Sequence, residues 1–323
     1  MTAAIPETGA RKGPAEVLPG AAALCLTVAG MCLYFRGAER IRMSAPPECY
    51  STFLRESPVD GPCIDTVDLE IIAGEVPRPD LLTPVFDTGG AWSMLSDDRR
   101  CVFRLQPRAN GAKPLWSLTT DLEFRRGRVY CSDTLLSDEG RVILARNLIQ
   151  YPLDQLLFIH AAAARARAML VHAAAGIVGG RGVLFAGPSG SGKSTVSRLL
   201  LESRSMRFLS DDRVAIRRFG ARLSVYGTPW PGDAGAAVNE SAPLDAVCFL
   251  RHGNSTELRQ LAPSETIERL LPVVSVPWYR PDLAEQPLEL CAYVLENYPI
   301  FELSFRPDAR ELGAALDELA GAQ

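Results

Sequence analysis

From residue 18 to about 147, apolar positions recur with a period of two in short stretches cut by Pro, Gly and Asp. Leu24, Leu26 and Val28 fall on one side, with Cys25, Thr27 and Ala29 on the other. After Gly30 the period resumes at Met31, Leu33 and Phe35. This pattern predicts two strands around a glycine turn. Val67–Ile72 alternates cleanly, and Cys101–Leu105, Trp116–Phe124 and Val142–Ala145 are further candidate strands. No helix-length amphipathic run precedes Asn147. The pattern predicts a β-rich accessory domain over 18–147, after a loose Ala-, Pro- and Gly-rich tail over 1–17.

Beyond Asn147 the texture changes. Pro152–Ala166 has Leu153, Leu156, Leu157 and His160 at helical spacing. Residues 168–186 then read as a hairpin turned at Gly179–Gly182. A helix to about Ser203, a strand over Met206–Ser210 and a second hairpin over Arg213–Tyr226 follow. Ala246–Leu250 reads as a buried strand. Helices are expected at 264–271, 283–296 and 308–319, with a strand at Ile300–Phe305. The fold class is α/β, with the unit 148–323 carrying the chemistry.

The chemistry is concentrated at the end of the first hairpin. Gly187-Pro188-Ser189-Gly190-Ser191-Gly192-Lys193-Ser194-Thr195 is a complete G-x-x-x-x-G-K-[ST] phosphate loop. Its glycines let successive N–H groups point inward at a di- or triphosphate. Lys193, expected to face solvent until nucleotide arrives, supplies charge for the β and γ phosphates. Ser194 offers a hydroxyl to a bridging Mg²⁺, and the following helix aims its positive end at the same anion. The apolar run Gly182–Ala186 before the loop and Val196, Leu199 and Leu200 after it give the strand–loop–helix context that the motif requires.

Two acids, Asp211 and Asp212, close a strand seventeen residues after Ser194. One carboxylate there can reach the metal, directly or through water, and the other can accept a proton from an attacking hydroxyl. His172 lies fifteen residues before Gly187 on the opposite strand of the hairpin, so antiparallel return directs it toward the site. A core histidine with a satisfied hydrogen bond fits that position equally well. There is no L-S-G-G-Q and no N-K-x-D motif, which counts against transporter ATPases and small GTPases.

Composition narrows the partners. A net charge of −4 gives no general attraction for nucleic acid or anionic membranes. The uncharged run Leu18–Phe35 resembles a short anchor, but Pro19, Gly20 and Gly30 interrupt it and its alternation is that of strands. The eight cysteines form no C-x-x-C pair and there are only three histidines, so zinc is not expected. A nucleotide site implies the reducing cytoplasm, where the cysteines are free thiols.

These residues resemble the catalytic domain of bacterial HPr kinase/phosphorylase, and more closely the HPr-kinase-related proteins encoded near ribosomally made peptides. The match comprises His172 with Ala173, the Gly179–Gly182 turn, Gly187–Thr195 and the Ser210-Asp211-Asp212 strand end, and it covers roughly 160–230. The resemblance implies a kinase that uses ATP and Mg²⁺ to phosphorylate a serine hydroxyl on a protein or peptide. It makes Asp212 the base, Asp211 the metal-side acid with Ser194, and His172 a phosphate-side partner. The glutamate-bearing segment tied to phosphorolysis in HPr kinase proper is missing. Gly227-Thr-Pro-Trp-Pro-Gly232 stands in its place, a rigid turn in which Trp230 reads as a packed aromatic. Two other functions compete: a small-molecule kinase, which needs an arginine-bearing lid, and a nucleotide-binding scaffold with little turnover. ATP against GTP and homo-oligomerisation stay open.

Overall fold

The computed structural model describes residues 20–55, 65–74, 82–90, 92–107, 113–203 and 206–321. The tail expected over 1–17 and the start of the Leu18–Phe35 run lie outside the described residues, as does Cys63. Among the described residues, no helix is long and apolar enough to cross a membrane.

The first half is made of β1 (Ala23–Val28), β2 (Met31–Gly37), β3 (Ile41–Met43), β4 (Leu54–Arg55), β5 (Asp65–Ala73) and β6 (Thr83–Asp87), followed by β7 (Trp92–Ser96), β8 (Arg100–Leu105), β9 (Trp116–Asp121), β10 (Arg126–Cys131), β11 (Leu136–Asp138) and β12 (Ile143–Ala145). Nine of them form one sheet in the order β4-β1-β2-β5-β10-β9-β8-β7-β6, and β11, β12 and β3 form a second. The β1–β2 turn places Ala29 and Gly30 in the left-handed region, which suits a two-residue hairpin turn. The expected strand at 116–124 stops at Asp121, because the Asp121 carboxylate accepts the backbone N–H groups of Glu123, Arg125 and Arg126 and starts a turn there.

The pairing of β1 with β2 also corrects the thiol assignment. Cys25 and Cys32 form a disulfide, because the hairpin brings their Cα atoms to 5.9 Å, within bridging range. Cys49, Cys101, Cys131, Cys248 and Cys291 are free.

The second half opens with α1 (Leu153–Ala161), which widens into a π-helical turn at Ala162–Ala166 and ends at a left-handed Arg167. Then come β13 (Ala168–Val178), β14 (Arg181–Ala186), α2 (Lys193–Glu202), β15 (Arg207–Ser210), β16 (Arg213–Phe219), β17 (Arg222–Tyr226) and β18 (Ser241–His252), and finally β19 (Glu257–Gln260), α3 (Pro263–Leu270), α4 (Pro281–Asn297), β20 (Ile300–Phe305) and α5 (Ala309–Gly321). β13 is apolar almost throughout because it is covered on both faces. It pairs along one edge with β16 through Ala168–His172 and with β15 through Ala175–Ile177, and along the other with β14 through Ala173–Val178, so β14 joins it just after His172. β14 lies parallel to β18 and antiparallel to β13. The phosphate loop therefore leaves the middle of a sheet rather than its edge.

The change of texture near residue 148 does not divide the core. One buried cluster joins Phe35, Phe53, Phe103 and Phe124 of the first half to Leu156, Phe158 and Trp230 of the second. Asp154 on α1 is fully buried and accepts hydrogen bonds from Tyr50 Oη (2.6 Å) and Trp230 Nε1 (2.8 Å). The Arg217 guanidinium reaches back to the Ala29 carbonyl (2.7 Å) and to the Asp65 carboxylate (2.6 Å).

Candidate functional site

The loop after β14 turns on glycines and enters α2 directly. Gly192 holds φ at 98°, and a Cβ there would sit 2.5 Å from the Phe305 ring, so only glycine fits. A Cβ on Gly187 would press on Ser191 at 2.5 Å from its hydroxyl, which closes the start of the loop in the same way. The first N–H groups of α2 have no helical acceptor and open onto the loop's concavity. Ser194 is exposed there, and Thr195 is half-buried beside it.

Lys193 departs from expectation. It is only 7% exposed, and its ammonium donates to the Gly187 carbonyl (2.8 Å) and the Pro188 carbonyl (3.1 Å). The loop wraps the side chain in its own carbonyls, because a buried ammonium needs acceptors. Burial draws its pKa below the usual lysine value, with Asp212 opposing that shift.

A cavity of about 460 Å³ brings the predicted groups together: Ser189, Gly190, Gly192, Lys193, Ser194 and Thr195 on the loop side, and His172, Asp211 and Asp212 opposite. His172 Nε2 lies 3.0 Å from Asp212 Oδ1, and Arg213 Nε donates to Asp212 Oδ2 at 3.2 Å. Partial burial and the nearby Lys193 charge lower the His172 pKa below its ordinary value, against the pull of Asp212. Nε2 is the ring nitrogen that faces this carboxylate. His172 is a site residue because it stands where β14 joins β13, one residue before the pair Ala173–Ala186 that ends the phosphate-loop strand, with its ring beside Asp212.

The two acids have different surroundings. Asp211 is 2% exposed and accepts three backbone N–H bonds, from Gly232 (2.9 Å), Ala234 (2.7 Å) and Ala236 (3.1 Å). Asp212 keeps its carboxylate in the cavity, held by two side chains. The same strand end thus fixes one acid into the fold and presents the other.

Sequence reasoning missed two groups in this cavity. His252, at the end of β18, has Nε2 3.2 Å from the Gly190 carbonyl and its ring against Phe305. Asp233 is carried to the rim by the loop that Asp211 holds. Neither lies near the phosphate loop in sequence; the parallel pairing of β14 with β18 is what brings His252 in. His160, the third histidine, is a core residue: its Nδ1 donates to the Leu156 carbonyl and its Nε2 accepts from Tyr279. Trp230 is packed, as expected. Among the described residues no cluster of three or more His, Cys, Asp or Glu could hold a metal by itself. The Ser194 hydroxyl and the nearby carboxylates fit a cation shared with a phosphate chain, and the Lys193 ammonium suits the phosphates themselves.

Set against known proteins, residues 145–283 match the family model described as SynChlorMet cassette protein ScmC, over less than half of the 323 residues. No curated protein matches the chain. Among solved structures, the chain is similar to the Hpr(Ser) kinase/phosphatase from Coxiella burnetii at 14% identity, covering 48% of this chain and 99% of that one, with a TM-score of 0.28.

Proposed function

We propose that this chain is a kinase that uses ATP and Mg²⁺ to phosphorylate a serine hydroxyl on a protein or peptide. One observation carries the reading: a carboxylate held 3.0 Å from a histidine ring nitrogen stands across one cavity from the phosphate-loop lysine. A nucleotide-binding scaffold has no need to hold an unsaturated acid at that place.

In this reading, backbone N–H groups of Gly190–Ser194 and the Lys193 ammonium neutralise the β and γ phosphates. The Ser194 hydroxyl would hold Mg²⁺, which would supply charge neutralisation to the phosphate chain. Asp211 acts from behind on the metal side: its three accepted N–H bonds leave little capacity for coordination, and they fix the loop that brings Asp233 to the cavity. His172 donates from Nε2 to Asp212 and fixes the rotamer of that carboxylate, whose oxygens retain lone pairs for a further donor. The acceptor oxygen bonds to the γ phosphorus, the bond to the β–γ bridging oxygen breaks, and Asp212 takes the hydroxyl proton. ADP leaves with the bridging oxygen. Catalysis is mostly positioning and charge neutralisation.

Asp212→Asn tests this, because it keeps size and removes charge. Single-turnover transfer of the γ phosphate to a serine peptide should fall by about 10²-fold or more while nucleotide affinity stays near that of the parent, the scale of a positioned general base. Transfer at the parental rate would remove Asp212 as the base, and a parent protein that transfers no phosphate would leave a nucleotide-binding scaffold as the better reading.

A further inference from the structure

A second cavity, of about 630 Å³, adjoins the first and shares His172 and Ser189 with it. Its inner wall is the beginning of the phosphate loop, Gly187 and Pro188. Its floor is apolar, formed by Phe249 and Leu250 at the end of β18 and by Pro272 and Val273 after α3. The Lys193 ammonium rests on the Gly187 and Pro188 carbonyls. A phosphate-loop lysine meets the β and γ phosphates, so the transferable end of a bound triphosphate falls at this shared wall. The cavity therefore lies beyond the γ phosphate, on the side from which an attacking hydroxyl must come.

The charges at its rim are balanced. Arg251 and Arg269 line it together with Glu268 and Glu302. Glu302 is nearly buried and takes Arg269 at 2.7 Å, Arg251 at 3.3 Å and Arg259, from outside the cavity, at 3.6 Å. Burial works to raise the Glu302 pKa, yet the guanidiniums hold it below the ordinary glutamate value. Among the described residues, both lining arginines pair with Glu302, so the lining carries as many carboxylates as guanidiniums. The wall is also fixed: Val274 bridges to Val171 of β13, and Ser275 N–H donates to the Leu170 carbonyl.

From this arrangement we infer that the cavity is the acceptor site, built for an uncharged segment in which an apolar side chain neighbours the reacting serine. The apolar side chain sits over Phe249, Leu250, Pro272 and Val273 while the serine hydroxyl reaches the His172–Asp212 pair. The volume suits one or two side chains of an extended peptide and not a folded surface. The inference rests on the kinase reading above.

Two substitutions fill the cavity from exposed positions that take no part in the transfer machinery: Pro272→Trp and Glu268→Trp. The probes are the peptides Ala-Leu-Ser-Leu-Ala, Ala-Asp-Ser-Asp-Ala and Ala-Lys-Ser-Lys-Ala, and a non-hydrolysable ATP analogue with Mg²⁺. The parent protein should phosphorylate the leucine-flanked peptide at least about tenfold faster than either charged one, the scale of burying one apolar side chain. Each tryptophan variant should lower kcat/KM for that peptide about tenfold or more and leave affinity for the ATP analogue within about twofold. A preference for a charged peptide, or parental transfer in both folded variants, overturns the acceptor assignment and leaves the kinase reading intact. Loss of analogue binding in the variants also overturns it, because the cavity would then hold the nucleotide's base. A parent protein that binds no analogue, or phosphorylates none of the peptides, overturns the kinase reading and this inference with it.

Discussion

The nine-stranded sheet and the phosphate-loop cavity hold their charges in different ways. On the nine-stranded sheet, cross-strand neighbours close charges into exposed pairs, such as Arg36 with Asp68 and Arg128 with Glu70. Near the phosphate loop, Lys193, His172 and Asp212 are each held by a partner yet still face a cavity. A pair in water is screened and contributes little. A charge oriented by its neighbours and left one open side is ready to meet a ligand without reorganisation. The difference separates a scaffold from the proposed reaction centre, although both are built from the same residue types.

The comparison would break if the first sheet could be removed without harm. A chain starting at Leu148 loses Phe35, Phe53 and Phe124 from the shared cluster, and it loses Tyr50 from the buried Asp154. It should not fold cooperatively, and circular dichroism with a thermal melt will show this. A cooperative transition in the truncated chain would make 148–323 an independent domain.

At the reaction centre, Lys193→Ala should reduce transfer by about 10²-fold or more, since the residue's charge is used as phosphate charge moves. Calorimetry should also show weakened nucleotide binding. Because Lys193 is buried against loop carbonyls, the variant should loosen the loop as well, visible as faster amide exchange over 187–195.

A buried histidine gives a third contrast. Burial lowers the His160 pKa to about 4 from an ordinary 6.5, so the folded state resists a proton that the unfolded chain accepts. The resulting stability is fully present above pH 6.5 and is lost progressively as the pH falls toward about 4, an effect of about 3 kcal/mol. Urea unfolding of the parent and of His160→Gln between pH 7 and 4.5 will show it, with the variant's stability falling less. The smallest effect belongs to the exposed pairs: Arg36→Ala should change stability by no more than about 1 kcal/mol in the same assay.

What could be read along the chain was what lies close along the chain. The loop at 187–195, the hairpin that delivers it, and the acid pair at a strand end are local patterns, and each stands where expected. The alternation at 67–72 likewise marked β5. The short strands β3, β4 and β6 were not legible, because a few residues with little alternation become strands only through their partners. The fate of the acid pair was not legible either. Three N–H groups that arrive 21 to 25 residues later decide that Asp211 is consumed by the fold and Asp212 is not. Asp154 is hidden for the same reason: nothing local announces that Tyr50 and Trp230 will meet over it. The Cys25–Cys32 bridge depends on hairpin register, whereas the expectation of free thiols rests on compartment alone.

The central claim is that neighbouring aspartates have been divided, one for architecture and one for chemistry. Asp211→Asn and Asp212→Asn, prepared side by side, test it through unfolding free energy and single-turnover phosphoryl transfer measured on the same samples. Asp211→Asn should cost about 1–3 kcal/mol of stability, the scale of disturbing a buried hydrogen-bonded acceptor, because its amide presents a donor where N–H groups already point. Asp212→Asn should leave stability within about 1 kcal/mol and lower transfer by about 10²-fold or more. The reverse pattern, with Asp212→Asn unfolding the protein or Asp211→Asn alone abolishing transfer in a fully stable fold, would contradict the account.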